Sequence, residues 1–273
     1  MDKEAACAAR VWKKLAEAPE SIHWIDLCQP PFRKHSQLER DVALQAGTLG
    51  NRPGEAAMID FWRRPWLFWR ILWLGLLLSG SCALLVYGCQ GLLHLTTDVA
   101  EKMLLILPPV VVPLALMLYF WELNVPKNIS LWELMSFSIM GTLLSLGFNM
   151  ALHFPLPYGG FLGALREELS KLAACGLLLL YCVYVRRKRI YGFTGLVIGA
   201  AVGSGFGAFE TISYALSSDF QTVLLRSLFA LAGHTMYTVS ACAAMTLGRE
   251  RGLKLFCSRP FCLSFLCAVF SHG

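Results

Sequence analysis

Charge is scarce in this sequence. Lys, Arg, Asp and Glu make up 15% of its 273 residues against 56% hydrophobic ones, and the mean hydropathy is +0.55. That balance excludes an ordinary water-soluble domain of this length. A Cys-x-x-Cys pair is also missing, despite ten cysteines. Cys82, Cys89, Cys175, Cys182, Cys242, Cys262 and Cys267 fall in or beside apolar runs, so they read as packing residues, not as a disulfide framework or a zinc cage. No His-Glu-x-x-His run offers a zinc-peptidase motif. Nor is there a basic stripe. The net charge of +6 is dispersed in short blocks between apolar runs, which speaks for membrane topology signals and against nucleic acid as a partner. The start, Met1-Asp2-Lys3-Glu4, has no apolar core and cleavage site behind it, so no signal peptide is expected.

What is present is a series of long apolar runs. Residues 1–64 hold 10 positive and 9 negative side chains, and read as a cytoplasmic N-terminal region without a catalytic motif. An amphipathic helix is expected around Lys3–Ala18, and His23 and Cys28 are too isolated to hold a metal. The membrane domain then covers 65–273. Arg63-Arg64 followed by Trp66, Trp69 and Trp73 marks the edge of a first span at about 67–93. Further spans are predicted at about 103–122, 131–153, 159–185, 192–216 and 223–247, each about 20 residues or more and able to cross a ~30 Å hydrocarbon core. A seventh apolar run begins at Phe261 and is too short to span. The fold class is therefore all-α, a polytopic membrane helix bundle with about six complete transmembrane helices plus a partial seventh.

Basic loops set the orientation. The segment before the first span, Arg186–Arg189 after the fourth and Arg249–Arg259 after the sixth are positive, whereas the loops after the first, third and fifth share only Lys102. An N-terminus in the cytoplasm of a multi-pass cell-membrane protein satisfies all of these.

The fourth run contains a contradiction. Arg166, Glu167, Glu168 and Lys171 fall within six residues of an otherwise apolar segment. Each charge costs roughly 2.5–3.5 kcal/mol at the bilayer centre and usually faces a cavity or a partner. Lys171, one turn beyond Glu167, could neutralise it, but that alone leaves Glu168 unpaired. In the fifth run, Gly195, Gly199, Gly203 and Gly207 recur every fourth residue and form a ridge for close helix approach, with Glu210 three residues beyond and Tyr214 one turn after it. The sixth run carries Arg226 and His234. At ~1.5 Å per residue, Glu167 and Glu168 lie roughly 12–14 Å below the outer surface, Glu210 roughly 10 Å and His234 roughly 18 Å. His272 reaches the same outer half. Several helices thus bring carboxylates and imidazoles to one layer.

Glu167-Glu168-x-x-Lys171, Phe206-x-x-x-Glu210, Arg226 with His234, and a last His272 in a final helix resemble, in that order, the PrsW family of intramembrane proteases over about 159–273. That family is distantly similar to the CAAX prenyl proteases. The resemblance implies a peptidase that hydrolyses a bond of a membrane-bound protein substrate, such as an anti-sigma factor, by glutamate-activated water. It implies catalytic roles for Glu167, Glu168, Glu210, His234 and His272, supported by Lys171, Arg226 and Tyr214. The sequence leaves open which of Glu167 and Glu168 is the base, and whether a divalent metal such as zinc is required. In the family the last His opens a longer polar motif, which is expected to be incomplete here because the sequence runs only to Gly273. Two other readings compete: a non-catalytic membrane scaffold of the same fold, and a proton-coupled transporter.

Overall fold

In the computed structural model the protein is described at residues 67–88, 97–124, 128–152, 160–186, 192–217, 233–248 and 256–272, with single positions 188, 190 and 254 between them. The helix expected at Lys3–Ala18, and Arg226, lie outside these residues. All regular structure among the described residues is helical. The helices are α1 (Leu67–Gly88), α2 (Thr97–Leu123), α3 (Leu131–Ala151), α4 (Gly160–Leu180, continued by a wider turn at Tyr181–Val185), α5 (Gly192–Ser217), α6 (Gly233–Leu247) and α7 (Arg259–His272).

Three of them are long and apolar enough to cross a membrane: Leu131–Ala151, Gly160–Val185 and Phe193–Ser217. Leu67–Cys82 and Val110–Leu123 are shorter apolar stretches. The described part of the sixth expected span begins at Gly233, and α7 has 14 residues. Leu84, Trp132, Ile139, Leu143, Met150, Leu247 and Phe270 stand exposed on the outside. In water they would oppose folding; against lipid they cost nothing.

The most buried of the three long helices, α5, packs against α2, α3, α4 and α6. Its glycine ridge explains the closest of these contacts. A Cβ at Gly199 would lie 2.7 Å from the Thr238 carbonyl oxygen, and one at Gly203 would lie 2.5 Å from that of His234. The ridge therefore meets α6 backbone against backbone, and Gly207 sits against the His234 ring. On other faces of α5, Ile198 and Val202 join Met117, Trp121, Leu134, Phe137, Cys175 and Leu178 in the main core.

One end of the bundle is closed by polar contacts. Ser130 caps α3 through a capping box: the Glu133 amide donates to Ser130 Oγ (3.2 Å), and the Ser130 amide donates to Glu133 Oε2 (2.9 Å). Glu133 also pairs with Arg186 and Lys188 just beyond α4. Lys188 reaches the Asn128 carbonyl (2.7 Å), and Asn128 Nδ2 donates to Thr194 Oγ1 on α5 (2.9 Å). The wholly buried Glu122 at the end of α2 accepts from the amides of Leu67 (2.8 Å) and Phe68 (3.0 Å), so it holds the start of α1. This end therefore gathers the start of α1, the end of α2, the start of α3, the end of α4 and the start of α5.

Candidate active site

The other half of the bundle brings together the first half of α4, the second half of α5, the first described turn of α6 and the last residue of α7. These positions carry Glu167, Glu168, Lys171, Glu210, His234 and His272. His234 is the second residue of the described part of α6, Gly233–Leu247.

Within α4 the two adjacent glutamates diverge. Glu168 points inward, 3% exposed, and pairs with the wholly buried Lys171 one turn on. The pair that Lys171 could have made with Glu167 is made with Glu168 at i, i+3, since Glu168 shares the inner face of the helix with Lys171. Lys171 Nζ also lies 3.1 Å from His234 Nδ1 and 5.1 Å from the centre of the Phe206 ring. Such a cation–aromatic contact is favourable where water is excluded.

Glu168 makes a second contact across the bundle. Its Oε1 lies 2.9 Å from His272 Nδ1, joining α4 to the end of α7. The other nitrogen of that ring, Nε2, lies 3.3 Å from Glu167 Oε2. That distance suits an ion pair, yet the geometry makes no hydrogen bond, and Glu167 Oε2 is buried without a hydrogen-bond partner among the described residues. His234 Nε2 lies 2.7 Å from Glu210 Oε2. The two imidazoles meet edge to face, with ring centres 4.7 Å apart.

Four donor atoms therefore converge, one each from Glu167, Glu210, His234 and His272, all within 4.8 Å of one another. Imidazole nitrogens and carboxylate oxygens are the ligands that zinc and similar divalent ions take. The buried, unpartnered Glu167 oxygen is a further reason to regard these residues as fit to hold such an ion.

Other side chains hold this group in place. Tyr237, three residues beyond His234, donates to the Ser271 carbonyl (3.2 Å), and its ring stacks on His272 at 6.4 Å. Sequence reasoning missed it, although its spacing puts it on the face of α6 next to His234. Ser204 donates to the Pro113 carbonyl (2.8 Å) and contacts Thr235 Oγ1 (3.1 Å), tying α2, α5 and α6 just below. Tyr214 packs with Ile106 around Ala215.

No curated protein and no solved structure matches the chain. Residues 155–273, which contain every member of the cluster, match the family model described as PrsW family intramembrane metalloprotease.

Proposed function

We propose that the protein is a multi-pass membrane peptidase that cleaves a membrane-bound protein substrate, with the cluster that α4–α7 bring together as its active site. The observation that carries this reading is the convergence of Glu167, Glu210, His234 and His272 within 4.8 Å, drawn from four helices of an apolar bundle. A membrane helix does not keep ionisable groups in such an arrangement for packing alone.

Glu167 is the better placed of the two glutamates to act as base. Glu168 is already engaged by Lys171 and His272, whereas Glu167 Oε2 accepts no hydrogen bond among the described residues. A water held against Glu167 gives up a proton to that carboxylate as its own oxygen bonds to the scissile carbonyl carbon. The C–N bond then breaks, and the amine nitrogen receives a proton through the His234–Glu210 pair. A hydrogen-bond donor beside the carbonyl stabilises the developing oxyanion, a role for which Arg226 and His272 are the candidates. A divalent ion such as zinc, held by residues of this cluster, would polarise the water and the carbonyl. Glu168 and Lys171 position the histidines and do not touch substrate.

The six-span topology with a cytoplasmic N-terminus belongs to the same proposal, as does the division into residues 1–64 and a membrane domain from 65. On that orientation the active site lies in the outer half of the bilayer.

The test is cleavage of a membrane-tethered reporter in cells. Glu167→Gln should lower cleavage about 10²–10⁴-fold at equal membrane abundance, the usual effect of losing a general base. Unchanged cleavage in a Glu167→Gln, Glu168→Gln double variant would exclude the peptidase reading and favour a scaffold.

A further inference from the structure

The two histidines of the cluster differ in their surroundings. An ammonium group has only hydrogens to offer, so Lys171, paired with Glu168 and 3.1 Å from His234 Nδ1, makes that nitrogen an acceptor. A neutral imidazole has one N–H, which for His234 must then sit on Nε2 and donate to Glu210 Oε2 at 2.7 Å. Around His272 the order is reversed. Glu168 Oε1 is an acceptor 2.9 Å from Nδ1, so the proton sits on Nδ1 and the Nε2 lone pair is left facing outward. That lone pair faces Glu167 Oε2 at 3.3 Å, and the oxygen has no hydrogen-bond partner of its own among the described residues.

Two acceptors at that separation need something positive between them. Two acceptors sharing one water, each about 2.8 Å from it, stand about 4.5 Å apart. Two ligands of a zinc-type ion, each about 2.0–2.1 Å from the metal at a tetrahedral angle, stand about 3.3–3.4 Å apart. The observed spacing matches the second case. A carboxylate on the far nitrogen of a ligating histidine is also the usual outer support of a metal site, and Glu168 supplies it to His272 alone.

We infer that Glu168 and Lys171 set the two histidines in opposite tautomers, so that Glu167 and His272 are the primary ligands of a divalent cation of the zinc class. His234 is then a hydrogen-bond donor to Glu210 and not a ligand. This deepens the peptidase reading and rests on the same cluster being the reactive centre. It divides the four converging groups into a metal-holding pair and a proton-delivering pair: Glu167 holds the ion through Oε2 and keeps its other oxygen as the base, and His272 is no longer a candidate oxyanion donor.

The experiment uses the full chain, purified into lipid nanodiscs, with Co²⁺ as a spectroscopic probe and ¹⁵N-labelled histidine. The expected result is that Co²⁺ binds with visible absorption bands of low coordination number, and that Glu167→Gln or His272→Gln weakens binding by more than about tenfold. Glu168→Ala should weaken it about 10–100-fold through His272, whereas His234→Gln should leave affinity within about threefold. In the metal-free wild type, nitrogen shifts should show the proton on Nε2 of His234 and on Nδ1 of His272, a readout that does not depend on any variant folding. Equal loss of binding in His234→Gln and His272→Gln, no Co²⁺ binding by the wild type, or the same tautomer at both rings would each overturn the inference. Reporter cleavage is scored separately. Cleavage without metal binding leaves the peptidase reading standing and this inference refuted, and binding in the expected pattern without cleavage does the reverse.

Discussion

Lys171 Nζ lies 3.1 Å from Nδ1 of His234 while the same amine is bound to Glu168, and the lysine has no exposed surface at all. A buried ion pair of this kind adds little stability compared with an apolar pair, but removing one partner leaves the other charge stranded.

Lys171→Met should therefore destabilise the protein by about 3–5 kcal/mol, and adding Glu168→Gln should recover a large part of the loss. Thermal unfolding in detergent micelles reads both. Equal destabilisation by the single and double variants would mean that charge is not what Lys171 contributes.

Gly203→Ala should be harmful out of proportion to one methyl group. The new carbon would lie 2.5 Å from the His234 carbonyl oxygen and 2.9 Å from Thr235 Cα, backbone atoms that no rotamer change can move aside. Overpacking of this kind costs about 1–3 kcal/mol, and here it would displace His234 as well. Gly176 is the matched control, because nothing lies within 4 Å of its added carbon. Gly176→Ala should be neutral or stabilising by up to about 1 kcal/mol. Similar unfolding temperatures for the two variants would show that the close α5–α6 contact is not maintained.

Glu122→Ala should loosen the start of α1. The substitution removes two hydrogen bonds from a carboxylate to the amides of Leu67 and Phe68, each worth about 1.5–3 kcal/mol when the acceptor is charged. Hydrogen exchange at those two amides should accelerate, while exchange in α5 and α6 stays slow. Unaltered protection at Leu67 would show that another group caps the helix.

The orientation is checked by cysteine labelling. A cysteine introduced at Asp219 should react with a membrane-impermeant reagent from outside the cell, and one at Arg186 only after the membrane is opened. Labelling at position 219 from the cytoplasmic side would place the active site in the other half of the bilayer.

The parts of this fold that were legible in the sequence are those written in spacing. Glycines every fourth residue from Gly195 to Gly207 announce a close approach of helices, and that is how α5 meets α6. Helix boundaries from α3 to α5 were also readable, because apolar runs of that length end at charged or proline-rich loops. The different fates of Glu167 and Glu168 were not legible. Neighbouring residues on a helix point about 100° apart, and which of them faces Lys171 and His272 depends on the rotation of α4 within the bundle. Glu122 and Glu133 were passed over for a related reason. Near the end of a span a carboxylate reads as an interfacial charge until the helix start or lysine that it holds arrives from elsewhere in the chain. Tyr237 was overlooked because one tyrosine in an apolar helix is ordinary until His272 packs against it.

The α5–α6 contact has a mechanical consequence. Glu210 and His234 are carried by two helices that touch main chain to main chain at Gly199 and Gly203. Bilayers of different thickness will tilt the long lipid-facing helices, and α3, with most of its surface outward, will follow the lipid. The α5–α6 pair acts as a stiff beam within that moving frame. The distance from Glu210 to His234 should be indifferent to the bilayer, whereas Glu167 and His272, on helices joined mainly by side chains, will feel it. Lipid composition would then tune one half of the active site against the other.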